Sequence, residues 1–212
     1  MKKKMKSKIK FPLMQNNILK QDINSIIKFL KTSSILTQNK EVLKFEKIWS
    51  KWLGVKYSVF VNSGSSANLL SIQLLKIKYP KGGEVIVPPL TWSSDISSLI
   101  HCGFKPVFAD IDLNTLGMNT DAIISKVNKN TKAVFLSYIQ GFNCLTKKLY
   151  DYLKKKKILL IEDVCESHGA KFKNKKLGSF GWTSNFSFYY AHHMSTIEGG
   201  MICTNNRKIY EL

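Results

Sequence analysis

Short runs of apolar and β-branched residues alternate with helical segments from Tyr57 onward, and this alternation limits the fold more than any other feature. Such a pattern predicts a parallel or mostly parallel sheet with helices on both faces, an α/β fold. The predicted strands span residues 57–61, 84–87, 106–109, 133–138, 158–161, 185–190 and 201–204. The predicted helices between them span residues 67–77, 94–101, 121–127 and 147–153. Residues 205–212 predict the start of another helix, so we expect the chain to be part of a longer protein.

Two helices are predicted before the first strand. The first spans residues 23–30 with Asp22 as its N-cap, and the second spans residues 41–53 and ends at Gly54. The second helix carries one apolar stripe, formed by Val42, Phe45, Trp49 and Trp52. We therefore divide the chain into an N-terminal arm with a short helix, residues 1–36, and a large domain, residues 37–212.

The charge of the chain is strongly positive, with a formal net charge of +19. Such a charge can indicate binding to nucleic acid or to an anionic membrane. However, only Arg207 among the 33 basic residues is an arginine, and proteins that read bases and phosphates use arginine heavily. A solvated basic surface is therefore favoured, and nucleic-acid binding is kept as the minor alternative.

The remaining composition indicates an ordinary globular protein of a reducing compartment. Hydrophobic residues make up 44% of the 212 residues, enough to form a core, and no apolar run is long enough to span a membrane. The apolar run at residues 11–14 is too short for a signal peptide. Four separated cysteines without a C-x-x-C pair indicate neither a zinc site nor a disulfide framework: Cys102, Cys144, Cys165 and Cys203. We expect a cytoplasmic protein.

Polar residues follow the ends of the predicted strands, where ligands of open α/β sheets bind. Gly64 and Ser65 stand between a strand and a helix, so their backbone N–H groups could bind a phosphate, or a serine could simply cap the helix. Trp92 follows the next strand and could contact a planar ring or pack in the core.

Two later strands are followed by titratable residues. Asp163 and Glu166 come after a wholly apolar strand, and an acid group buried there needs a partner such as a pyridinium N–H, a metal or a helix terminus. Without nearby His or Cys ligands, a metal is the weaker choice. His192 and His193 follow the next strand and could act as acid and base or lie in an exposed turn.

Five segments in this order resemble the DegT/DnrJ/EryC1/StrS family of pyridoxal-phosphate-dependent sugar aminotransferases and dehydratases: FVNSGSSANLL, EVIVPPLTW, PVFADID, LLIEDVCESHGA and SFYYAHHMSTIEGGM. The resemblance implies the large domain of the aspartate-aminotransferase-like fold, type I of the pyridoxal-phosphate-dependent transferases. Family members are about twice as long, so it also implies that the C-terminal small domain is absent from this chain.

The resemblance also implies roles for the residues at the strand ends. Asp163 would pair with the ring nitrogen of pyridoxal or pyridoxamine phosphate, so that the ring can act as an electron sink. The other implied cofactor contacts are Gly64, Ser65 and Ser187 at the phosphate, Trp92 stacked on the ring and Glu166 near the ring hydroxyl. No metal site is expected.

One departure from the aminotransferase pattern is decisive. His192 stands where aminotransferases carry the Schiff-base lysine, and no lysine lies between Lys176 and Lys208. This replacement resembles the branch of nucleotide-linked 4-keto-6-deoxyhexose 3-dehydratases, in which His192 would be the acid–base residue. His193 would take this role if the register shifts by one residue.

The implied partners are a nucleotide-linked keto sugar, glutamate as the amino donor, a second subunit in a homodimer and an iron–sulfur reductase. Such an enzyme would serve deoxysugar synthesis of the lipopolysaccharide type. A sugar aminotransferase is the alternative activity, although it needs a lysine that the sequence does not place. A non-catalytic fragment that binds only cofactor or nucleotide sugar is a further alternative.

Overall fold

A seven-stranded sheet forms the centre of this computed structural model, which describes residues 18–33 and 35–212. Residues 1–17 of the predicted N-terminal arm lie outside the described residues. The strands are Tyr57–Val61 (β1), Glu84–Val87 (β2), Lys105–Phe108 (β3), Thr131–Ser137 (β4), Leu159–Asp163 (β5), Lys171–Phe172 (β6), Lys175–Lys176 (β7), Thr183–Ser187 (β8) and Gly200–Thr204 (β9).

The strand order in the large sheet is β1-β9-β8-β5-β4-β2-β3. Strand β9 is antiparallel to both β1 and β8, and the other neighbouring pairs are parallel. The sheet is therefore mostly parallel, as the alternating pattern predicts. Strands β6 and β7 form a separate antiparallel hairpin within a segment that the sequence indicated only as a polar turn.

The helices are Lys20–Thr32 (α1), Lys40–Leu53 (α2), Gly64–Lys78 (α3), Ser93–His101 (α4), Thr120–Lys126 (α5), Lys147–Lys156 (α6) and Arg207–Tyr210 (α7). Helices α2 to α6 cover both faces of the sheet. Successive side chains of a strand point to opposite faces. Val134 and Leu136 of β4 accordingly join a core with α2, α5 and α6, whereas Ala133 and Phe135 join a core with α3 and α4. We call these the α2 face and the α3 face.

The apolar stripe of α2 explains its position. Trp49 is 2% exposed and packs edge-to-face on Phe186 and Phe188, which belong to β8 and the residue after it. Burying an aromatic or aliphatic side chain of this size contributes about 1.5–3 kcal/mol. The helix ends at Gly54, whose φ of 86° is the left-handed conformation that glycine adopts readily.

The first helix corrects one detail of the sequence interpretation. It begins at Lys20 with Leu19 as its N-cap, so Asp22 is not the capping residue. Instead, the Asp22 carboxylate lies in the first turn and accepts a hydrogen bond of 2.8 Å from the backbone N–H of Leu19. An acidic side chain is favourable both at the N-cap and at the third helical position, because backbone N–H groups are unpaired throughout the first turn.

The described residues contain no helix long and apolar enough to cross a membrane. All four cysteines are free thiols. Within the same residues, no group of three or more His, Cys, Asp or Glu side chains could hold a metal ion.

Candidate active site at the carboxyl ends of the strands

The carboxyl ends of β1, β2, β4, β5 and β8 lie at the same edge of the sheet, because these strands are parallel to one another. Alternation places Ser137, Asp163 and Ser187, the last residues of β4, β5 and β8, on the α3 face. The N-termini of α3 and α4 begin just beyond the ends of β1 and β2. Two helix N-termini and three polar strand ends therefore converge on one region.

The turn before α3 brings Gly64 against Ser187. Ser63 is the N-cap, and its hydroxyl accepts a hydrogen bond of 3.1 Å from the backbone N–H of Ser66, so α3 begins at Gly64 and not at residue 67 as predicted. A Cβ atom on Gly64 would lie 2.6 Å from Cβ of Ser187 and 2.9 Å from Sγ of Cys165. Only glycine allows this approach, which sets the Ser187 hydroxyl beside the N-terminus of α3.

Ser65 is an exposed residue in the first turn of α3. In the first turn of a helix, backbone N–H groups have no partner within the helix, and they favour anions. The turn therefore offers N–H donors and serine hydroxyls to a phosphate.

Asp163 is 6% exposed and ends β5. Its Oδ2 accepts a hydrogen bond of 3.0 Å from Nδ2 of Asn68 on α3, and its Oδ1 accepts one of 2.9 Å from the backbone N–H of Cys165. No lysine, arginine or histidine of the described residues forms an ion pair with this carboxylate. A buried carboxylate without a cation is costly, so this position suits a positively charged ligand group.

The neighbouring Glu162 has a structural role on the opposite face. Its carboxylate accepts hydrogen bonds from the Tyr138 hydroxyl and from backbone N–H groups of the turn before β8 at Gly178, Phe180 and Gly181. Of the two adjacent acids in the sequence, only Asp163 thus faces the region between α3 and α4.

Trp92 is 67% exposed and lies immediately before α4. Packing in the core, one of the two interpretations of this residue, is therefore wrong. Its ring is free to contact a planar group, which is the interpretation that the motif resemblance implied.

His192 lies in the β8–β9 connection and is half-buried, whereas His193 is exposed. Burial lowers the pKa of His192, and the charges of Glu166 and Asp163 act against this effect. His192 therefore lies within electrostatic range of both acids, and a neutral imidazole is favoured near neutral pH. Glu166 also accepts a hydrogen bond of 3.1 Å from the backbone N–H of Gln140.

The sequence interpretation missed several polar residues in this region. Asn68, Asp95 and Ser137 come from three different elements and form one buried hydrogen-bonded network with Asp163. His168 is a further half-buried residue, with its ring centroid 6.3 Å from that of His192 and 5.5 Å from that of His193. An amide beside the apolar residues Ala67, Ile72 and Leu75 of α3 was the available signal for Asn68. The buried face of α4 contains two serines and only one apolar residue, so it gave no such signal for Asp95.

Two surface grooves lie elsewhere. One of about 230 Å³ is bordered by α1 and α2, including Phe29 and Val42. The other, of about 450 Å³, lies between α6 and the β6–β7 hairpin, including Tyr150 and Phe172. Neither groove includes a residue predicted for the site.

Three comparisons identify relatives of this chain. Residues 16–212 match the model of the DegT/DnrJ/EryC1/StrS aminotransferase family. GDP-4-keto-6-deoxy-D-mannose 3-dehydratase of Yersinia pseudotuberculosis is 35% identical over 212 residues, covering 96% of this chain and 53% of that protein. The chain thus spans about half the length of the curated relatives it matches.

Solved structures agree with the sequence relatives. A GDP-4-keto-6-deoxymannose-3-dehydratase with a trapped PLP-glutamate geminal diamine has a TM-score of 0.89 at 35% identity, covering 94% of this chain and 53% of that one. PseC of Helicobacter pylori, an aminotransferase involved in the biosynthesis of pseudoaminic acid, has a TM-score of 0.89 at 29% identity, covering 95% and 54%.

These likenesses confirm the predicted fold class, an α/β large domain of the pyridoxal-phosphate-dependent transferase type. The family match extends over nearly the whole chain, which includes every residue at the strand ends described above. The chain belongs to the DegT/DnrJ/EryC1/StrS aminotransferase family.

Proposed function

We propose that the protein carrying this chain is a pyridoxal- or pyridoxamine-phosphate-dependent enzyme that removes the C3 hydroxyl of a nucleotide-linked 4-keto-6-deoxyhexose. The observation that carries this proposal is the β8–β9 connection, where His192 is half-buried and no lysine is present between Lys176 and Lys208. The similarity of the chain to GDP-4-keto-6-deoxy-D-mannose 3-dehydratase supports a GDP-linked sugar as the substrate.

The residues at the strand ends fit a phosphorylated pyridine cofactor. The first turn of α3, with Gly64, Ser65 and the facing Ser187 hydroxyl, would hold the phosphate. Asp163, a buried carboxylate without a cationic partner among the described residues, would pair with the ring nitrogen. Exposed Trp92 would cover the ring, and Glu166 would lie near the ring hydroxyl.

Pyridoxamine phosphate, when bound, supplies an amine that condenses with the C4 ketone and a ring that accepts electrons. Asp163 would keep the ring nitrogen protonated, and its hydrogen bonds from Asn68 and Cys165 fix the carboxylate for this task. His192, with a lowered pKa, would take up a proton at an imidazole nitrogen and deliver it to the departing C3 hydroxyl. General acid–base help of this kind contributes about 10²–10⁴-fold in rate.

The alternative activity is transamination, as in the similar PseC aminotransferase. An aminotransferase holds its cofactor through a lysine, and the β8–β9 connection contains none. Glutamate would serve as amino donor in either reaction. A homodimer, an iron–sulfur reductase and a cytoplasmic location stay predictions, and four free cysteines agree with a reducing compartment.

Borohydride reduction distinguishes the two activities. The full chain, loaded with pyridoxal phosphate and treated with borohydride, is expected to release its cofactor on denaturation, because no lysine is in place to bind it covalently. Incubation with GDP-4-keto-6-deoxymannose and glutamate should yield a 3-deoxy sugar. A phosphopyridoxyl-lysine peptide together with an amino-sugar product would overturn the dehydratase proposal, and absence of cofactor binding would leave the non-catalytic alternative.

A further inference from the structure

Asp95 is a buried carboxyl group that the proposed chemistry does not use. It lies in the first turn of α4 and has no exposed surface. Its Oδ1 lies 2.6 Å from Nδ2 of Asn68, and its Oδ2 contacts the hydroxyls of Ser137, at 2.5 Å, and Thr91. Each of its oxygens thus has a polar partner from another part of the chain.

Asn68 connects Asp95 to the carboxylate proposed for the cofactor ring. The same amide nitrogen that contacts Asp95 also donates to Oδ2 of Asp163 at 3.0 Å, and it lies 3.0 Å from the Ser94 hydroxyl. Two buried carboxyl groups therefore lie on either side of one amide. The described residues form no ion pair with either carboxyl group.

Two negative charges in this position would be strongly unfavourable, because both carboxyl groups are buried and no basic side chain of the described residues forms an ion pair with either of them. Burial raises the pKa of Asp95 well above its usual range, and the charge of Asp163 and a hydrogen bond with it act in the same direction. Hydrogen bonds from Ser137 and Thr91 only partly oppose this effect.

The other groups that face Asp95 do not offset the rise in its pKa. Cys165, from the turn after β5, is the second titratable group near it, and burial raises the pKa of this thiol so that it stays neutral. The side chains contributed by α3, β4 and the segment before α4 are the neutral Asn68, Ser137 and Thr91.

We propose that Asp95 is the neutral acid of an acid–carboxylate pair with Asp163, and that it is a positioning residue that fixes the Asp163 carboxylate through Asn68. Asp163 then carries the single negative charge of the pair, which matches the single positive charge of a protonated ring nitrogen. The inference rests on the proposed function only in assigning Asp163 to the cofactor ring. Asp95 would carry this proton before any cofactor binds.

The first experiment measures urea unfolding of the cofactor-free full chain from pH 4.5 to pH 8.5. Asp95→Asn keeps a neutral side chain of the same shape, and Asp151→Asn makes the same chemical change at an exposed ion pair on α6. A raised folded-state pKa favours the folded state at low pH, and this advantage is lost as the pH rises from about 4 toward the folded-state value.

The unfolding constant of the wild type should therefore rise relative to Asp95→Asn by up to about tenfold for each pH unit in that window. Asp151→Asn should retain the wild-type slope. Parallel pH profiles for the wild type and Asp95→Asn would overturn the acid–carboxylate pair.

The second experiment measures the affinity for pyridoxamine phosphate and its absorption spectrum as a function of pH. Asp95→Asn should bind within about threefold of the wild type, because an amide can replace a neutral acid at each contact. Asp95→Leu removes the acceptor for Asn68, so its affinity for pyridoxamine phosphate should fall at least tenfold. The pH at which the absorption spectrum of the cofactor ring changes should also shift. Circular dichroism checks that the variant is folded. Should Asp95→Leu unfold, Asn68→Leu interrupts the same connection from α3.

Wild-type binding and ring titration in a folded Asp95→Leu or Asn68→Leu protein would overturn the positioning role. Failure of the wild type itself to bind the cofactor would instead contradict the proposed function. In that case the pH series on the cofactor-free chain still decides whether Asp95 is protonated in the folded protein.

Discussion

At the residue scale, the proposed chemistry depends on one imidazole. Replacing His192 by Asn keeps a polar side chain of similar size but removes the acid–base group. We expect 3-deoxygenation to fall by about 10²–10⁴-fold, with cofactor affinity nearly unchanged, because general acid–base catalysis contributes about this much. Product formation with the nucleotide-linked sugar and equilibrium binding of pyridoxamine phosphate measure the two quantities.

His193→Asn is the matched control, since His193 is adjacent and exposed. It should retain most of the activity. A larger loss in His193→Asn than in His192→Asn would mean that the register of the motif is shifted by one residue.

A second imidazole predicts how stability depends on pH. Burial, together with His193 and His192 beside it, lowers the pKa of His168 to about 3, against a weaker opposite effect of the Ser187 backbone. The ring packs against Trp49, Phe186 and Phe188, where neither ring nitrogen makes a well-formed hydrogen bond.

A histidine with a lowered folded-state pKa is protonated more readily in the unfolded chain, so the folded state loses stability as the pH falls below about 6.5. We expect His168→Phe, which fits the aromatic surroundings, to remove this loss. The advantage of the variant over the wild type in urea unfolding should grow by up to about 1.4 kcal/mol for each pH unit between pH 6.5 and pH 4.5. An advantage that does not change with pH would mean that His168 binds a proton as readily in the folded protein as in the unfolded chain.

At the element scale, the contact between the N-terminus of α3 and the end of β8 allows a sharp test. Gly64→Ala would place a Cβ atom 2.6 Å from Cβ of Ser187, so one of the two elements has to move. We expect a loss of about 1–3 kcal/mol in the free energy of unfolding, as in other overpacked sites, and weaker binding of a phosphorylated cofactor.

Ser65→Ala is the comparison for this variant, because residue 65 is exposed and the change adds no atoms. Its free energy of unfolding should stay within about 0.5 kcal/mol of the wild type. Equal stability of Gly64→Ala and Ser65→Ala in denaturant unfolding would show that the turn has room to adjust.

The elements also show how far sequence patterns reach. β1 and β2 have the predicted bounds, and α2 differs by one residue, because apolar periodicity, Pro88 and Gly54 define their ends. The start of α3 was predicted three residues too late, since the cap is Ser63 and not a residue after the Gly-Ser turn. The β6–β7 hairpin was missed because its strands have only two residues each and no apolar alternation.

At the scale of the whole molecule, the net charge of +19 makes stability depend on salt. The ion pairs of the described residues involve mostly exposed side chains, which contribute little individually. The main effect of salt should therefore be to screen the repulsion between the positive charges. The melting temperature should rise by a few degrees between about 20 mM and about 300 mM NaCl.

Replacing Lys126 and Lys155 by Gln removes two exposed charges and should reduce this shift. A melting temperature that falls with added NaCl would show that attractive ion pairs outweigh the repulsion. Differential scanning calorimetry at several salt concentrations measures both proteins.

The sequence by itself determined the alternation of strands and helices, the glycine turn before α3, and the histidine in place of a lysine after β8. These are local features, since periodicity, turn chemistry and residue identity act over a few neighbouring positions. Only the tertiary structure decided that Asn68, Asp95, Ser137 and Asp163 share one buried network. Strand order, register and helix packing bring these residues together from α3, α4, β4 and β5. Burial there raises the pKa of Asp95, an effect that its neighbours in the sequence do not encode.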